Sequence, residues 1–387
     1  MHLRLLFIAA IPLAIWLYLF FARGFFWRLR EFDDDRTSPK PLHDWPSVVA
    51  IVPARNEAQT IARTVDSLAR QNYAGEFSII VVDDHSNDGT AALAQNAAAT
   101  AGATERVSVH AAATLPEGWT GKLWALNQGV ARAAATSASF YWFTDADIVH
   151  APKTLRRLVS RAENGKLDIA SLMVLLPAET TVERLLIPPF LFFFLKLYPP
   201  RWIANPNART AGAAGGCILL RREAVERSGG LAAIRGEVID DCALARAVKK
   251  SGGKIWMGLT RASQSLRGYG TFGEIRDMVA RTAFTQLRYS SLLLLGTLLG
   301  MFLTYLAPVA LLFAKNLVAI AFGISAWALM SLSFLPTLRF YRMSALWAPL
   351  LPLAAGFYSY ATWVAAVRYW LGRGGQWKGR AQAPRAV

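Results

Sequence analysis

The chain has 387 residues, with 42 Lys+Arg against 26 Asp+Glu, a net charge of +16, and 54% hydrophobic residues. That length holds one large domain or two medium ones, and the hydrophobicity excludes a disordered chain. Its two cysteines, Cys217 and Cys242, exclude a disulfide framework or a multi-cysteine zinc site and fit a reducing compartment.

The first predicted element is an uncharged run of 18 residues over 5–22. About 20 apolar residues in a helix cross the roughly 30 Å of a bilayer's hydrocarbon. No small-residue cleavage site follows the run, and Arg23, Arg28 and Arg30 stand just behind it. It therefore reads as an uncleaved anchor with the residues after it on the cytoplasmic side.

From Trp45 to about Thr260 strands and helices alternate. Residues 48–52 form a short strand that Pro53 ends, and 58–70 has helical periodicity through Ile61, Val65 and Leu68. A second strand is predicted over 77–82, an Ala-rich helix over 91–101, a third strand over 107–110, a helix over 122–135 and a fourth strand over 139–144. Such alternation builds a mostly parallel sheet covered by helices, whose ligands bind beyond the carboxyl ends of the strands.

Polar clusters lie at those ends. Pro53-Ala54-Arg55-Asn56-Glu57 follows the first strand; taken alone it is a helix cap at Asn56, with Glu57 in the first turn. Asp83-Asp84 follows the second, and Asp88-Gly89-Thr90 beyond it reads as a turn and cap. Asp145-Ala146-Asp147 follows the fourth, where a period of two aims both carboxylates to one side. Two such carboxylates repel unless a cation lies between them, and hard oxygen donors suit Mg²⁺ or Mn²⁺. Gly118-Trp119-Thr120-Gly121-Lys122 opens a helix, where backbone N–H groups and a lysine favour phosphate, though the spacing is not that of a Walker A loop. Gly212-Ala213-Ala214-Gly215-Gly216 and then Ile239-Asp240-Asp241-Cys242 complete the series, with one aspartate expected to serve a helix start. Cys217 and Cys242 are expected to be small buried fillers, and His85 and His150 neighbours of acidic motifs without catalytic work. The apolar segment 185–195, with Pro188-Pro189, is too short to span; a core helix is favoured over a membrane-surface segment.

After Asp277 no acidic residue occurs in the remaining 110 positions, while ten basic ones punctuate uncharged runs over 289–314, 316–338 and 343–367. This is a membrane pattern and not a nucleic-acid one. Three full crossings after the anchor would put the tail, with Arg368, Arg373, Lys378, Arg380 and Arg385, outside, against the positive-inside rule. Either one run is re-entrant or interfacial, or one folds into a hairpin, with Pro308, Pro349 and Pro352 as break points.

This ordered set resembles the family 2 inverting glycosyltransferases of the GT-A fold, from about Ser47 to Arg288. The stretches Gly118–Ala125, Ala214–Cys217, Ile239–Ala245 and Met278–Ala283 are similar to the hopene-associated (hopanoid biosynthesis) glycosyltransferases. The resemblance implies an α/β GT-A domain with a Rossmann-like, mostly parallel sheet, and transmembrane helices at both termini. It divides the chain into a membrane anchor (1–30), a GT-A domain (45–265), an interfacial segment (266–289), a transmembrane region (290–370) and a basic tail (371–387). It implies a multi-pass inner-membrane enzyme with a cytoplasmic catalytic domain, moving a sugar from UDP to a hopanoid-like lipid hydroxyl. Pro53, Glu57, Asp83 and Asp84 would bind the uridine, with Asp84 on the base. Lys122 would lie near the diphosphate, Asp145 on the ribose or sugar side, and Asp147, with Asp145, at a Mg²⁺ or Mn²⁺ ion. Asp241 would be the general base, with Asp240 beside it. Gln286-Leu287-Arg288-Tyr289 departs from the Q-x-x-R-W of processive relatives, being one residue short with Tyr for Trp, and points to single sugar transfer. A polyprenyl-phosphate acceptor is the nearer alternative. An inactive membrane scaffold or lipid-binding protein is the alternative of another class.

Overall fold

A computed structural model describes residues 2–33 and 42–372, together with 376–377 and 380–381. The predicted basic tail lies mostly outside these residues: Arg373, Lys378 and Arg385 are not described, and Arg380 only in its backbone.

Eight strands form one sheet: β1 Val48–Ala54, β2 Phe77–Asp83, β3 Val107–Ala111, β4 Phe140–Thr144, β5 Ile148–His150, β6 Ile169–Leu175, β7 Cys217–Arg221 and β8 Ile255–Ser265. Their order is β3-β2-β1-β4-β7-β6-β8-β5. The parallel expectation holds for β3-β2-β1-β4, with β2, β3 and β4 each entered after a helix. It fails beyond β4, because β7 runs antiparallel between β4 and β6 and β5 antiparallel on β8. The result is a mixed Rossmann-like GT-A sheet. β1 and β4 are buried along their whole length, which explains their continuous apolar runs.

Two local expectations are corrected. Pro53 does not end β1; it pairs in register with Val82, and the strand runs to Ala54. Pairing with β4 stops at Ile51–Phe143, so the missing proline N–H breaks no ladder bond on that side. Asn56 does not cap a helix. Its helix begins at Ile61 with Thr60 at the cap, while Asn56 is left-handed (φ 50°) and accepts a bond from the Asn87 N–H at 3.1 Å. Asparagine tolerates that conformation, so the residue joins two loops.

The helix Thr181–Leu197 couples the sheet domain to the apolar helices. Leu186, Ile187, Leu191, Phe192 and Leu195 are buried, the core-helix reading of this segment. Phe192 packs edge-on against Phe26 and Phe334, and Phe193 against Tyr305 and Tyr358. The rings thus tie the N-terminal helix His2–Phe21 to the C-terminal helices, reinforced by a bond from the Trp16 indole to the Thr304 carbonyl (2.6 Å).

Three helices, Ser291–Phe313, Leu317–Phe340 and Ala345–Trp370, are long and apolar enough to cross a membrane. Their ends are fixed by contacts with the sheet domain. Leu294 clusters with Ala280 and Phe284, so Ser291–Phe313 starts on the domain face. Arg261 donates to the carbonyls of Phe340 (2.8 Å) and Arg339 (2.9 Å), so Leu317–Phe340 returns to it. The chain then turns away, since the Pro349 carbonyl accepts from the Trp327 indole at 3.1 Å, near the middle of that helix. It comes back at Arg368, which donates to Asp277 at 2.8 Å. The last apolar segment therefore begins and ends on the domain face.

Candidate active site

The loops after β1 and β2 are stitched together. Ser86 Oγ accepts from the Asn56 N–H (2.9 Å), Thr90 Oγ1 from Glu57 (2.8 Å) and Asp88 from Ala58 (3.0 Å). Asp88 also accepts from the Thr90 N–H at 3.1 Å, the expected turn. Asp83 accepts from the Ser86 N–H at 3.2 Å. Asp84 is 1% exposed, with the Arg55 guanidinium 3.7 Å from its carboxylate.

At the end of β4 the expected period of two does not apply. The strand stops at Thr144, and Asp145-Ala146-Asp147 is a turn with Ala146 buried. The two carboxylates meet different cations: Asp145 lies 2.9 Å from Lys122 Nζ, and Asp147 accepts from Arg267 Nε at 3.0 Å. Arg267 also donates to both Glu57 oxygens, at 3.0 and 2.9 Å. His150 fixes this corner from below. Its ring lies 2.8 Å from both Thr144 Oγ1 and Ser263 Oγ, and burial pushes its pKa down to about 3, so it is neutral.

Lys122 reaches onward to Asp240 at 3.3 Å. Burial alone would lower the lysine, but Asp145 and then Asp240 outweigh it and hold the ammonium above its ordinary value. Asp241 faces the glycine segment: its carboxylate accepts from the Gly215 N–H at 2.8 Å and the Cys242 N–H at 2.7 Å. A Cβ on Gly215 would stand 3.3 Å from that carboxylate and 3.4 Å from Lys122 Nζ, so only glycine brings the backbone this near without displacement. Both aspartates occupy the first turn of the helix Asp240–Lys250, so the helix-start role falls to both.

Burial raises the Asp241 pKa to about 6, helped by Asp240 and opposed by Lys122 and the two N–H donors. Burial also raises Asp145, against Lys122. A carboxyl poised near neutrality takes a proton during a reaction and gives it up afterwards. Pro53, Lys122, Asp145, Gly215, Asp240 and Asp241 line one cavity at the strand ends. Cys217 and Cys242 are buried, as expected of fillers.

Three residues of the site escaped the sequence reading in these roles. Arg267 lies just past β8, where a lone arginine carries no motif. Tyr198 packs against Gly212, and its hydroxyl exchanges bonds with the Gln286 amide at 2.8–3.2 Å. Gln286 was legible only as a departure from a motif.

Residues 49–229 match the family model described as Glycosyl transferase family 2. An N-acetylglucosaminyltransferase of Rhizobium sp. (strain N33) is 44% identical over 50 residues, covering 13% of this chain and 11% of that protein. The chain thus aligns with about a tenth of that curated relative's length. Among solved structures, a mannosyltransferase from Pyrobaculum calidifontis, in complex with GDP-Man and Mn²⁺, superposes with a TM-score of 0.55 at 19% identity, over 91% of this chain and 99% of that one. A glucosyl-3-phosphoglycerate synthase from Mycobacterium tuberculosis, in complex with Mn²⁺, UDP and glucosyl-3-phosphoglycerate, gives 0.40 at 21% identity, over 63% and 79%. The mannosyltransferase shares the fold along nearly its whole length, and residues 49–229 of this chain are similar to family 2 glycosyltransferases.

Proposed function

We propose that this glycosyltransferase domain moves one sugar from a nucleotide-diphosphate donor to a lipid hydroxyl at the membrane, with inversion. The observation that carries the reading is Asp241. It is a half-buried carboxylate raised to about 6, beside a lysine that also reaches Asp145, in a cavity at the ends of the strands. A neutral alcohol needs such a base, whereas an acceptor that is already anionic does not. The donor is read as UDP-linked, with the base against Asp84 and the loop of Pro53 and Glu57. Lys122 reaches the diphosphate, and Asp145 the ribose or sugar side.

The donor set fits a divalent cation. Mg²⁺ is ordinarily held by one or two carboxylates, with substrate phosphates and water completing the shell. Asp145 and Asp147 are those two, and the described residues hold no cluster of three or more His, Cys, Asp or Glu. When bound, Mg²⁺ or Mn²⁺ offsets the charge that builds on the departing diphosphate. The mannosyltransferase of P. calidifontis, in complex with GDP-Man and Mn²⁺, supports such a pairing of nucleotide-sugar and metal.

A hopanoid-type acceptor is supported by the stretches around Gly118, Ala214, Ile239 and Met278. The membrane reading is supported by the three long apolar helices and the N-terminal one. In the topology we propose, the anchor, Ser291–Phe313 and Leu317–Phe340 cross, and the last apolar segment enters and leaves on the cytoplasmic face. Arg368 and the tail then satisfy the positive-inside rule, which three further full crossings violate. A reporter at the C-terminus and one near Asn96 should both report the cytoplasm of an inner membrane; opposite sides would refute the hairpin. The function is tested by incubating membranes with labelled UDP-sugars and analysing the extracted lipid by mass spectrometry. Label in a hydroxyl-linked lipid supports the reading, and label in a phosphate-linked one replaces the acceptor by a polyprenyl phosphate.

A further inference from the structure

A second cavity, of about 440 Å³, lies away from the carboxylates, lined by Ala22, Gly24, Phe25, Arg201, Trp202 and Asn205. It opens where the N-terminal apolar helix ends at Phe21, whose exposed Leu17, Tyr18 and Phe21 mark the hydrocarbon boundary. A sharp turn builds it: Gly24 and Phe25 are both left-handed, and a Cβ on Gly24 would come within 3.0 Å of Pro199 and of Trp202 Nε1. A left-handed phenylalanine is a costly conformation that surrounding structure must enforce.

Arg201 is the cation in the cavity's lining, and Arg23, Arg28 and Lys196 stand on the segments around it. Arg23 lies 4.6 Å over the Trp202 ring and donates to the Lys196 carbonyl at 3.1 Å. Arg28 and Arg201 flank the Phe25 ring at 4.5 and 5.9 Å. Among the described residues, no carboxylate lies within ion-pair distance of Arg23, Arg28, Arg201 or Lys196, and the Trp202 indole N–H has no hydrogen-bond partner. Lys196 donates to the Tyr305 hydroxyl at 2.9 Å, and burial with Arg23 pushes its pKa down to about 8. Arg201 and Arg23 on either side of an indole N–H, at the end of an apolar helix, suit an anion with several acceptor oxygens.

We infer that this cavity binds the phosphodiester headgroup of an anionic bilayer lipid, apart from the donor and acceptor. Arg201, the Trp202 N–H and the Asn205 amide face the phosphate, and Arg23 supplies charge from beyond the indole. Basic pockets beside membrane helices on the cytoplasmic side are suited to such headgroups, while tryptophan settles at their depth. The inference rests on the membrane reading above and not on the identity of the sugar or acceptor.

The test uses the full chain in an uncharged detergent, with lipid adducts counted by native mass spectrometry. Phosphatidylglycerol should be retained over phosphatidylcholine by about fivefold, the effect of roughly one basic side chain on an anionic lipid. Arg201→Gln, at an exposed position, should bring the two to near parity. Arg63→Gln, which removes the same charge from an exposed position of the helix Ile61–Ala69, should leave the preference intact. Excess inorganic phosphate should not displace the lipid; displacement would assign the cavity to free phosphate. Equal retention of both lipids by the wild type, or equal losses in the two variants, would overturn the site. Retention of neither lipid would overturn the site too, while the membrane reading stands or falls separately by the reporters described above.

Discussion

Lys122 and Arg267 each stand between two carboxylates of the same site, yet their surroundings differ. Lys122 is 19% exposed and joins Asp145 to Asp240, with Asp241 alongside. Arg267 is 36% exposed and joins Glu57 to Asp147. Around the lysine, burial makes every charge depend on its neighbours, and a carboxyl there moves to about 6. Around the arginine the carboxylates are as shielded, Glu57 at 12% and Asp147 at 17% exposed, but one guanidinium forks between them. On the proposed reading, the proton goes to Asp241 on the lysine side, while Asp145 and Asp147, one beside each cation, hold the metal.

The most severe way to break this division is Asp147→Asn. Transfer should fall below detection, and divalent-cation-dependent UDP binding should vanish in calorimetry, because an amide is a poor ligand for a hard cation. Undiminished wild-type activity in EDTA would remove the metal from the site. Next in size is Asp241→Asn, which keeps shape but cannot take a proton. Turnover should drop by about 10²–10⁴ while UDP-sugar affinity holds, and Asp240→Asn should be milder. The reverse order would move the base to Asp240; no effect in either would mean an acceptor that is already ionised.

The pH profile sharpens the same contrast. Below about 6, where Asp241 holds its proton, wild-type turnover should fall about tenfold per pH unit. A profile flat to pH 5 would exclude Asp241 as the base. The smallest expected effect is on stability. Lys122 is held above the ordinary lysine value, so its ion pairs act throughout the neutral range and are lost only in alkali. Lys122→Met should cost about 2–3 kcal/mol at pH 8, less than a fully buried pair because the site is partly wet. That loss should shrink toward pH 5, as Asp241 becomes neutral and the uncompensated charge disappears. A loss that is constant with pH would show that Lys122 acts by packing alone.

Much of the site was legible because strand ends are local signals. Lys122, Asp145, Asp240, Asp241 and Pro53 were all named from residues that follow a strand or open a helix, and all line one cavity. The resemblance rested on the same residues. What failed was reasoning that extended a local period too far: the Asp145–Asp147 carboxylates belong to a turn, and Asn56 joins two loops. Arg267 was missed because its partners, Glu57 and Asp147, lie 210 and 120 positions away in the chain.

By itself the sequence determined the strands β1 to β4, the helices between them and the segments too apolar for water, since periodicity and side-chain volume act between near neighbours. It also set the conflict over the tail by placing Arg368 and the residues after it behind one apolar run too many. Only the tertiary structure brings both ends of that run to the sheet domain, through bonds from Arg261 to Phe340 and Arg368 to Asp277. Likewise the charge state of Asp241 is no property of an Asp-Asp pair. It follows from burial and from Lys122 and Gly215, which the fold brings from two distant segments to within a few ångströms, where desolvation and Coulomb forces are strong.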